Sequence, residues 1–145
     1  MKQRISNYIT LEFPSRSSNE GFARTAVACF AAQLDPTLNE LEDIKTAVSE
    51  AVTNAIVHGY PDHLGIITVR CRILKDHVLD IVVKDKGVGI SDIEKAMQPM
   101  YTTGGADRSG MGFTIMESFM TNLEISSQPG KGTTVHMRRK LQRRK

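Results

Sequence analysis

The stretch from Thr37 to Gly59 admits one local structure, and the rest of the chain must accommodate it. Thr37-Leu38-Asn39-Glu40 is a capping box, in which the threonine hydroxyl and the glutamate carboxylate satisfy N–H groups that a helix start leaves unpaired. Leu41, Ile44, Val48, Val52 and Ala55 then recur at helical spacing and fall in one sector of the wheel. Gly59 closes the helix, and Pro61 and Asp62 turn the chain. Outside the apolar sector lie Glu50 and Asn54, at i and i+4 and roughly 40° apart, with small Ala47 beside them. That leaves a polar pair with room above it. A carboxylate can take a proton, and an amide oxygen can ligate a hard cation such as Mg²⁺. Taken alone, E-x-x-x-N reads more simply as a solvated helix face.

The segments around this helix alternate as strands do. Asn7 to Phe13 places Ile9, Leu11 and Phe13 on one side. A helix capped by Ser17 or Ser18 then runs to about Leu34, with the stripe Phe22, Ala26, Val27 and Phe30. Ile66–Leu74 and Val78–Lys84 are joined by Lys75-Asp76-His77, which predicts an antiparallel hairpin. Ser91-Asp92-Ile93-Glu94 is a second capping box, opening a short helix, and Gln98 to Arg108 is aperiodic and reads as a mobile loop. Gly110-Met111-Gly112 opens a helix with apolar Phe113, Ile115, Met116, Phe119 and Met120. Leu123–Ser127 and Thr133–Met137 are strands around a Pro-Gly turn. Hairpins outnumber β-α-β units, so the expected fold is α+β: a two-layer α/β sandwich with helices on one face of a mainly antiparallel, mixed sheet.

Charge separates one domain from a tail. The chain carries 19 basic and 16 acidic residues, but six of the basic ones fall among residues 138–145. Residues 1–137 therefore hold 13 basic and 16 acidic groups, a net of −3. The expected organisation is one domain over 1–137 and a solvated basic tail over 138–145. Direct contact with nucleic acid is not expected. No apolar run long enough to span a membrane occurs, and no signal core follows the first residues. Cys29 and Cys71 read as buried thiols of a cytoplasmic protein.

Three glycine clusters carry chemistry. Asp85, Gly87 and Gly89 form D-x-G-x-G after a strand, where a carboxylate can accept an N–H from an adenine amino group and glycine permits close backbone approach. Gly110 and Gly112 precede a helix, whose free N–H groups suit phosphate. Gly130 and Gly132 read most simply as a hairpin turn. A P-loop, a Rossmann fingerprint, protein-kinase motifs and zinc-ligand spacing are all missing.

In order, E-x-x-x-N, D-x-G-x-G, a flexible segment, G-x-G and G-T-T resemble the Bergerat ATP-binding fold of DNA gyrase, the 90 kDa heat-shock chaperone and bacterial sensor histidine kinases. The runs S-E-A-V-T-N-A-I-V-H-G-Y and R-S-G-M-G-F-T-I-M-E, with Gln33-Leu34-Asp35-Pro36, are similar to the bacterial sporulation anti-sigma factor F family over about residues 7–137. The resemblance implies a serine kinase that inhibits a sigma factor and uses ATP to phosphorylate, and so inactivate, an anti-anti-sigma antagonist. It implies ATP or ADP and Mg²⁺ as ligands, a homodimer, and those two protein partners.

By that resemblance Glu50 is the base for phosphoryl transfer and Asn54 holds Mg²⁺. Asp85 reads the adenine amino group, with Gly87 and Gly89 shaping the pocket. Gly110 and Gly112 cradle phosphates, Thr133 supports the adenine end, and Arg108 reaches the terminal phosphate. Thr102 and Thr103 match the paired lid threonines. Arg24 matches a partner contact, although as a lone arginine it reads more simply as a surface solubiliser. The Gly104-Gly105-Ala106-Asp107 segment is shorter and less charged than the family's usual lid. Two other functions fit the motifs: a general stress-response anti-sigma kinase of the same mechanism, and an ATP-dependent sigma-binding module without kinase activity.

Overall fold

A computed structural model describes residues 4–90 and 112–142. Five strands form one sheet in the order β1-β2-β3-β5-β4: β1 (Ile5–Pro14), β2 (Ile66–Leu74), β3 (Val78–Asp85), β4 (Asn122–Gln128) and β5 (Gly132–Lys140). All four pairings are antiparallel, so the mixed character expected of the sheet is not found among the described residues. The β2–β3 connection is the tight turn anticipated from Lys75-Asp76-His77. Asp76 and His77 adopt left-handed backbone at φ 70° and 64°, which lets the hairpin reverse in three residues. Asparate and histidine tolerate that region better than branched side chains do.

Among the described residues three α-helices cover one face: α1 (Ser18–Ala31), α2 (Leu38–Asn54) and α3 (Gly112–Phe119). Helix α2 lies between the other two and presents Ile44, Val48 and Val52, all fully buried, to the core. Its capping box forms as the sequence predicts, with Glu40 N–H donating to Thr37 Oγ1 at 3.1 Å and Thr37 N–H donating to Glu40 Oε1 at 2.9 Å. From the sheet come Ile67, Val69, Cys71, Leu79, Ile81, Val83, Val135 and Met137, alternate residues of three adjacent strands. The α+β two-layer architecture is therefore the one anticipated.

Several local expectations are corrected. The buried stripe of α1 is Ala23, Val27, Phe30 and Ala31, and Phe22 is 61% exposed. Both stripes have helical period; small Ala23 faces inward where α1 packs on α2, and its neighbour Phe22 is rotated outward by about 100°. Ser17 stands at the N-cap in helical backbone and makes no side-chain cap. Cys29 is exposed; only Cys71 is a buried thiol, and burial pushes it up to about 12. Ala47 is fully buried, so no open space lies above it.

The boundary expected at 138 also moves. Strand β5 continues to Lys140 because it must pair with the whole of β3, where Val78 faces Lys140. Arg138 binds Asp80, and Arg139 donates to Asp43 Oδ2 at 2.9 Å and to the Phe119 carbonyl at the end of α3. Leu141 is buried, and Gln142 N–H donates to Glu40 Oε2 at 2.9 Å. Glu40 thus joins the start of α2 to the end of the described chain. Residues 138–142 belong to the domain and are not a frayed tail.

Candidate active site

Helix α2 does not stop in a simple cap. After Asn54 it widens into a π-helical turn, Ala55–Gly59, before Tyr60 leaves helical backbone. Such turns are rare and recur at functional sites. Glu50 and Asn54 lie half-buried on the last turns of α2. Gly112, the first residue of α3, sits directly against both. A methyl group at Gly112 would stand 2.9 Å from Asn54 Nδ2, 3.2 Å from Asn54 Oδ1 and 3.2 Å from Glu50 Oε1. Three residues that are 62 positions apart at the extremes are thereby brought into one contact. Only glycine leaves the carboxylate and the amide uncovered there.

Asp85, at the end of β3, forms a second pole. It is 6% exposed, and burial raises its carboxyl above the ordinary aspartate value; the Gly87 and Thr133 backbone N–H groups pull the other way without reversing it. Gly87 N–H donates to Asp85 Oδ1 at 2.9 Å. Gly59 faces the same carboxylate: a methyl there would lie 2.9 Å from Asp85 Cγ. From Asn54 to Gly59 the helix advances roughly 7 Å, so the amide and the buried carboxylate flank one stretch of a single helix.

The D-x-G-x-G loop is clamped from several sides. The Val88 N–H donates to the Gly59 carbonyl at 2.9 Å, and the Gly130 N–H donates to the Val88 carbonyl at 2.7 Å. A side chain at Gly87 would collide with the Gly59 carbonyl, and one at Gly89 with the Gln128 carbonyl. Gly89 also holds φ 76°, a second reason for glycine. Thr133 is buried opposite Asp85 in the β3–β5 register, its hydroxyl 2.8 Å from Ser127 Oγ.

The structure therefore brings together Glu50, Asn54 and Gly112 at one pole and Asp85, Gly87, Gly89 and Thr133 at the other. Arg24 stands apart on α1, 3.2 Å from Glu20 Oε2 in an i,i+4 ion pair. Arg108, Thr102, Thr103 and Gly110 lie outside the described residues, as do the Ser91–Glu94 capping box and the 98–108 loop. Three residues at the site were given no site role by sequence: Gly59, Tyr60 and Ser127. Gly59 carried a signal, but a helix-ending glycine is so common that its contact with Asp85 was invisible without the fold.

The arrangement fits an adenine nucleotide. A buried carboxylate whose backbone hydrogen bonds do not offset the cost of its burial suits a further N–H donor such as the adenine amino group. The glycines beside it and at Gly112 keep both poles clear of side chains. No group of three metal-binding side chains occurs among the described residues. A cation at Asn54 would take further oxygens from phosphate or water, as Mg²⁺ commonly does.

A separate charged cluster lies on the sheet face away from the helices. Asp80 is fully buried there, with Arg138 Nε at 2.8 Å, Arg72 Nη2 at 2.9 Å and His136 Nε2 at 2.5 Å. Burial alone would raise its carboxyl; the hydrogen bonds from His136, Arg138 and Arg72 outweigh it and hold it below the ordinary value. No helix among the described residues is long and apolar enough to cross a membrane.

Residues 13–139 match the histidine kinase-like ATPase domain family. An anti-sigma F factor of Caldanaerobacter subterraneus subsp. tengcongensis is 59% identical over 133 residues, covering 91% of this chain and 92% of the relative. One from Clostridium acetobutylicum is 53% identical over 94% of this chain and 96% of the relative. Among solved structures, the RsbU and RsbW domains of a Mycobacterium tuberculosis protein superpose with a TM-score of 0.71 at 21% identity, over 96% of this chain and 34% of that one. The histidine kinase domain of an Erythrobacter litoralis blue-light activated kinase gives a TM-score of 0.59 at 20% identity, over 84% of this chain and 61% of that one. At such identities these two structures speak to the fold alone.

Proposed function

We infer the function from one premise: this chain belongs to the histidine kinase-like ATPase family and, within it, to the anti-sigma F factors. Family membership implies binding of ATP or ADP. The proposal is that the protein binds and inhibits a sigma factor of the F type. It transfers the γ-phosphoryl group of ATP to a serine of an anti-anti-sigma antagonist, which is thereby inactivated. The observation that carries this reading is the contact of Glu50, Asn54 and Gly112 across two helices.

Phosphoryl transfer asks for positioning, charge neutralisation and a proton acceptor. Asp85 holds the adenine amino group while Gly87 and Gly89 keep the ring's approach open, and Thr133 supports that end. Asn54 would hold Mg²⁺ through its amide oxygen, the metal supplying charge neutralisation on the phosphates. Glu50 accepts the proton as the serine hydroxyl oxygen forms its bond to phosphorus and the bond to the ADP oxygen breaks. Gly112, beside both side chains, leaves room for phosphate. Gly110 and Arg108 act on the phosphates, and Thr102 and Thr103 contribute to nucleotide binding. A carboxylate beside the amide favours a kinase over a module that merely binds nucleotide, because binding alone does not call for a proton acceptor.

The phosphate added to the antagonist brings about −2 charge and weakens its hold on this protein, which stays on the sigma factor. Half-exposed Arg24 contacts the protein partners, and the working unit is a cytoplasmic homodimer. The relatives' names favour an F-type sigma factor over a general stress-response one.

The test mixes the protein, Mg²⁺ and γ-labelled ATP with candidate antagonists and looks for phosphoserine by mass spectrometry. Label on a serine of one antagonist is the expected result; nucleotide binding with no label on any of them leaves a binding module and overturns the kinase. In the same mixtures Arg24→Glu should spare nucleotide binding and lose partner capture, and undiminished capture would return Arg24 to the solvated surface.

A further inference from the structure

Two hydroxyl groups to which the sequence motifs assign no role hold the loop that carries Asp85. Tyr60, the first residue beyond the π-helical turn, is 7% exposed. Its hydroxyl accepts from the Lys86 N–H at 2.7 Å and donates to the Ile66 carbonyl at 2.7 Å. One side chain thus joins the start of β2 to the residue immediately after Asp85. The ring is seated as firmly as its hydroxyl. A side chain at Gly65 would collide with it, and Gly65 is fixed by a mutual pair of hydrogen bonds with buried Ser15 at 2.8 and 3.0 Å.

Ser127 does the corresponding work at the far end. Its Oγ accepts from the Ile90 N–H at 2.7 Å and donates to the Gly132 carbonyl, 3.0 Å away. The same oxygen lies 2.8 Å from Thr133 Oγ1. Between these ends the loop is tied at Val88, by its N–H to Gly59 and its carbonyl to Gly130. Apart from Asp85 itself, whose carboxylate accepts from Gly87 N–H, the two hydroxyls are the loop anchors a substitution can delete without rebuilding backbone.

We propose that Tyr60 and Ser127 are positioning residues that set adenine selectivity, by fastening the two ends of the 85–90 loop so that the Asp85 carboxylate stays aligned with the base's exocyclic amino group. This rests on the adenine reading of Asp85. Neither side chain needs to touch the nucleotide. With either hydroxyl gone, a half-buried hydrogen bond to a loop N–H is lost and the loop shifts to recover one. The bond that suffers is the directional one between Asp85 and the base, while contacts to ribose and phosphate are left as they were.

The experiment compares ADP with inosine diphosphate, which carries an oxo group where adenine has its amino group. Affinities are measured by calorimetry on the full chain for the wild type, Tyr60→Phe, Ser127→Ala and Ser127→Thr. ADP affinity should fall about tenfold in Tyr60→Phe and Ser127→Ala, the scale of one misaligned hydrogen bond. Inosine diphosphate has no such bond to lose, so the ADP preference narrows by the same factor, and Ser127→Thr, which keeps a hydroxyl, restores it. General destabilisation would instead lower both affinities together. An unchanged ADP preference in either hydroxyl-free variant removes that residue from the device, and Ser127→Ala at a half-buried site carries the test should Tyr60→Phe fail to fold. A wild type that does not distinguish the two nucleotides overturns the adenine reading itself, and the positioning role with it.

Discussion

Replacing Gly112 with alanine separates the site from the scaffold. The new methyl group would lie 2.9 Å from Asn54 Nδ2 and 3.2 Å from both Asn54 Oδ1 and Glu50 Oε1. Restoring an ordinary contact near 3.4 Å requires the amide to retreat by about 0.5 Å. A 1 Å misplacement of a catalytic group costs on the order of 100-fold, so half that displacement costs roughly tenfold in Mg²⁺–ATP affinity or transfer. Stability should barely change. Alanine in place of glycine gains up to about 1 kcal/mol in a helix, and forcing Asn54 off its rotamer costs about 0.5–1.5 kcal/mol. The two offset, leaving a melting temperature within roughly 4 °C of wild type. Calorimetric titration with Mg²⁺–ATP, paired with thermal unfolding without nucleotide, reads both quantities. Unchanged affinity at unchanged stability would refute a functional role for the Glu50–Asn54–Gly112 contact. Affinity lost only together with a large fall in melting temperature would mark Gly112 as a packing residue.

Other perturbations follow from the burial and charge of named groups. Asp85→Asn should abolish adenine binding while leaving the nucleotide-free protein at least as stable at neutral pH. The folded-state pKa of Asp85 lies above its unfolded value near 3.8, so its ionisation costs stability as pH rises through the folded value; the variant should lose that pH dependence in denaturant titrations, and retained ADP selectivity would contradict the assignment. Asp80 has the opposite sign: its folded pKa is depressed, so its contribution is present above about 3.8 and lost as pH falls through the folded value. Asp80→Asn should lower unfolding free energy by about 1–3 kcal/mol at pH 7, from unbalancing Arg72 and Arg138, with a smaller loss near pH 3; equal losses at both would contradict an ionic origin. Deleting residues 138–145 should lower the melting temperature by more than about 10 °C, since it removes two ion-paired arginines and buried Leu141, whereas deleting only 143–145 should leave it unchanged. Equal melting temperatures for the two truncations would mean that 138–142 contributes nothing to the fold.

What sequence made legible was local. The Thr37–Glu40 capping box and the three-residue β2–β3 hairpin depend on neighbours a few positions apart, and both formed as anticipated. Strand order did not follow from local pattern, because the β3–β5 pairing joins residues 48 to 62 positions apart, from Asp85 with Thr133 to Val78 with Lys140. Phe22 and Ala23 illustrate another limit: two stripes of equal period were available on α1, and only packing against α2 selects between them. Size pointed to Phe22, whereas closeness of approach selected Ala23. The basic run at the C-terminus looked like a solvated tail because Asp80 and Asp43, which receive Arg138 and Arg139, lie far off in sequence. At the site, E-x-x-x-N and D-x-G-x-G were visible as motifs. Their supports were not: a hydroxyl at Tyr60 or Ser127 has no signature until the backbone group it serves is nearby.

The central claim is that Glu50 accepts the proton in phosphoryl transfer beside an amide that holds the metal. Single-turnover transfer from γ-labelled ATP to the antagonist's serine, measured for Glu50→Gln with Mg²⁺–ATP affinity determined alongside, tests it directly. Loss of a general base costs about 100- to 10,000-fold, so the predicted result is near wild-type affinity with transfer slowed to that extent. Transfer at the wild-type rate would contradict the account.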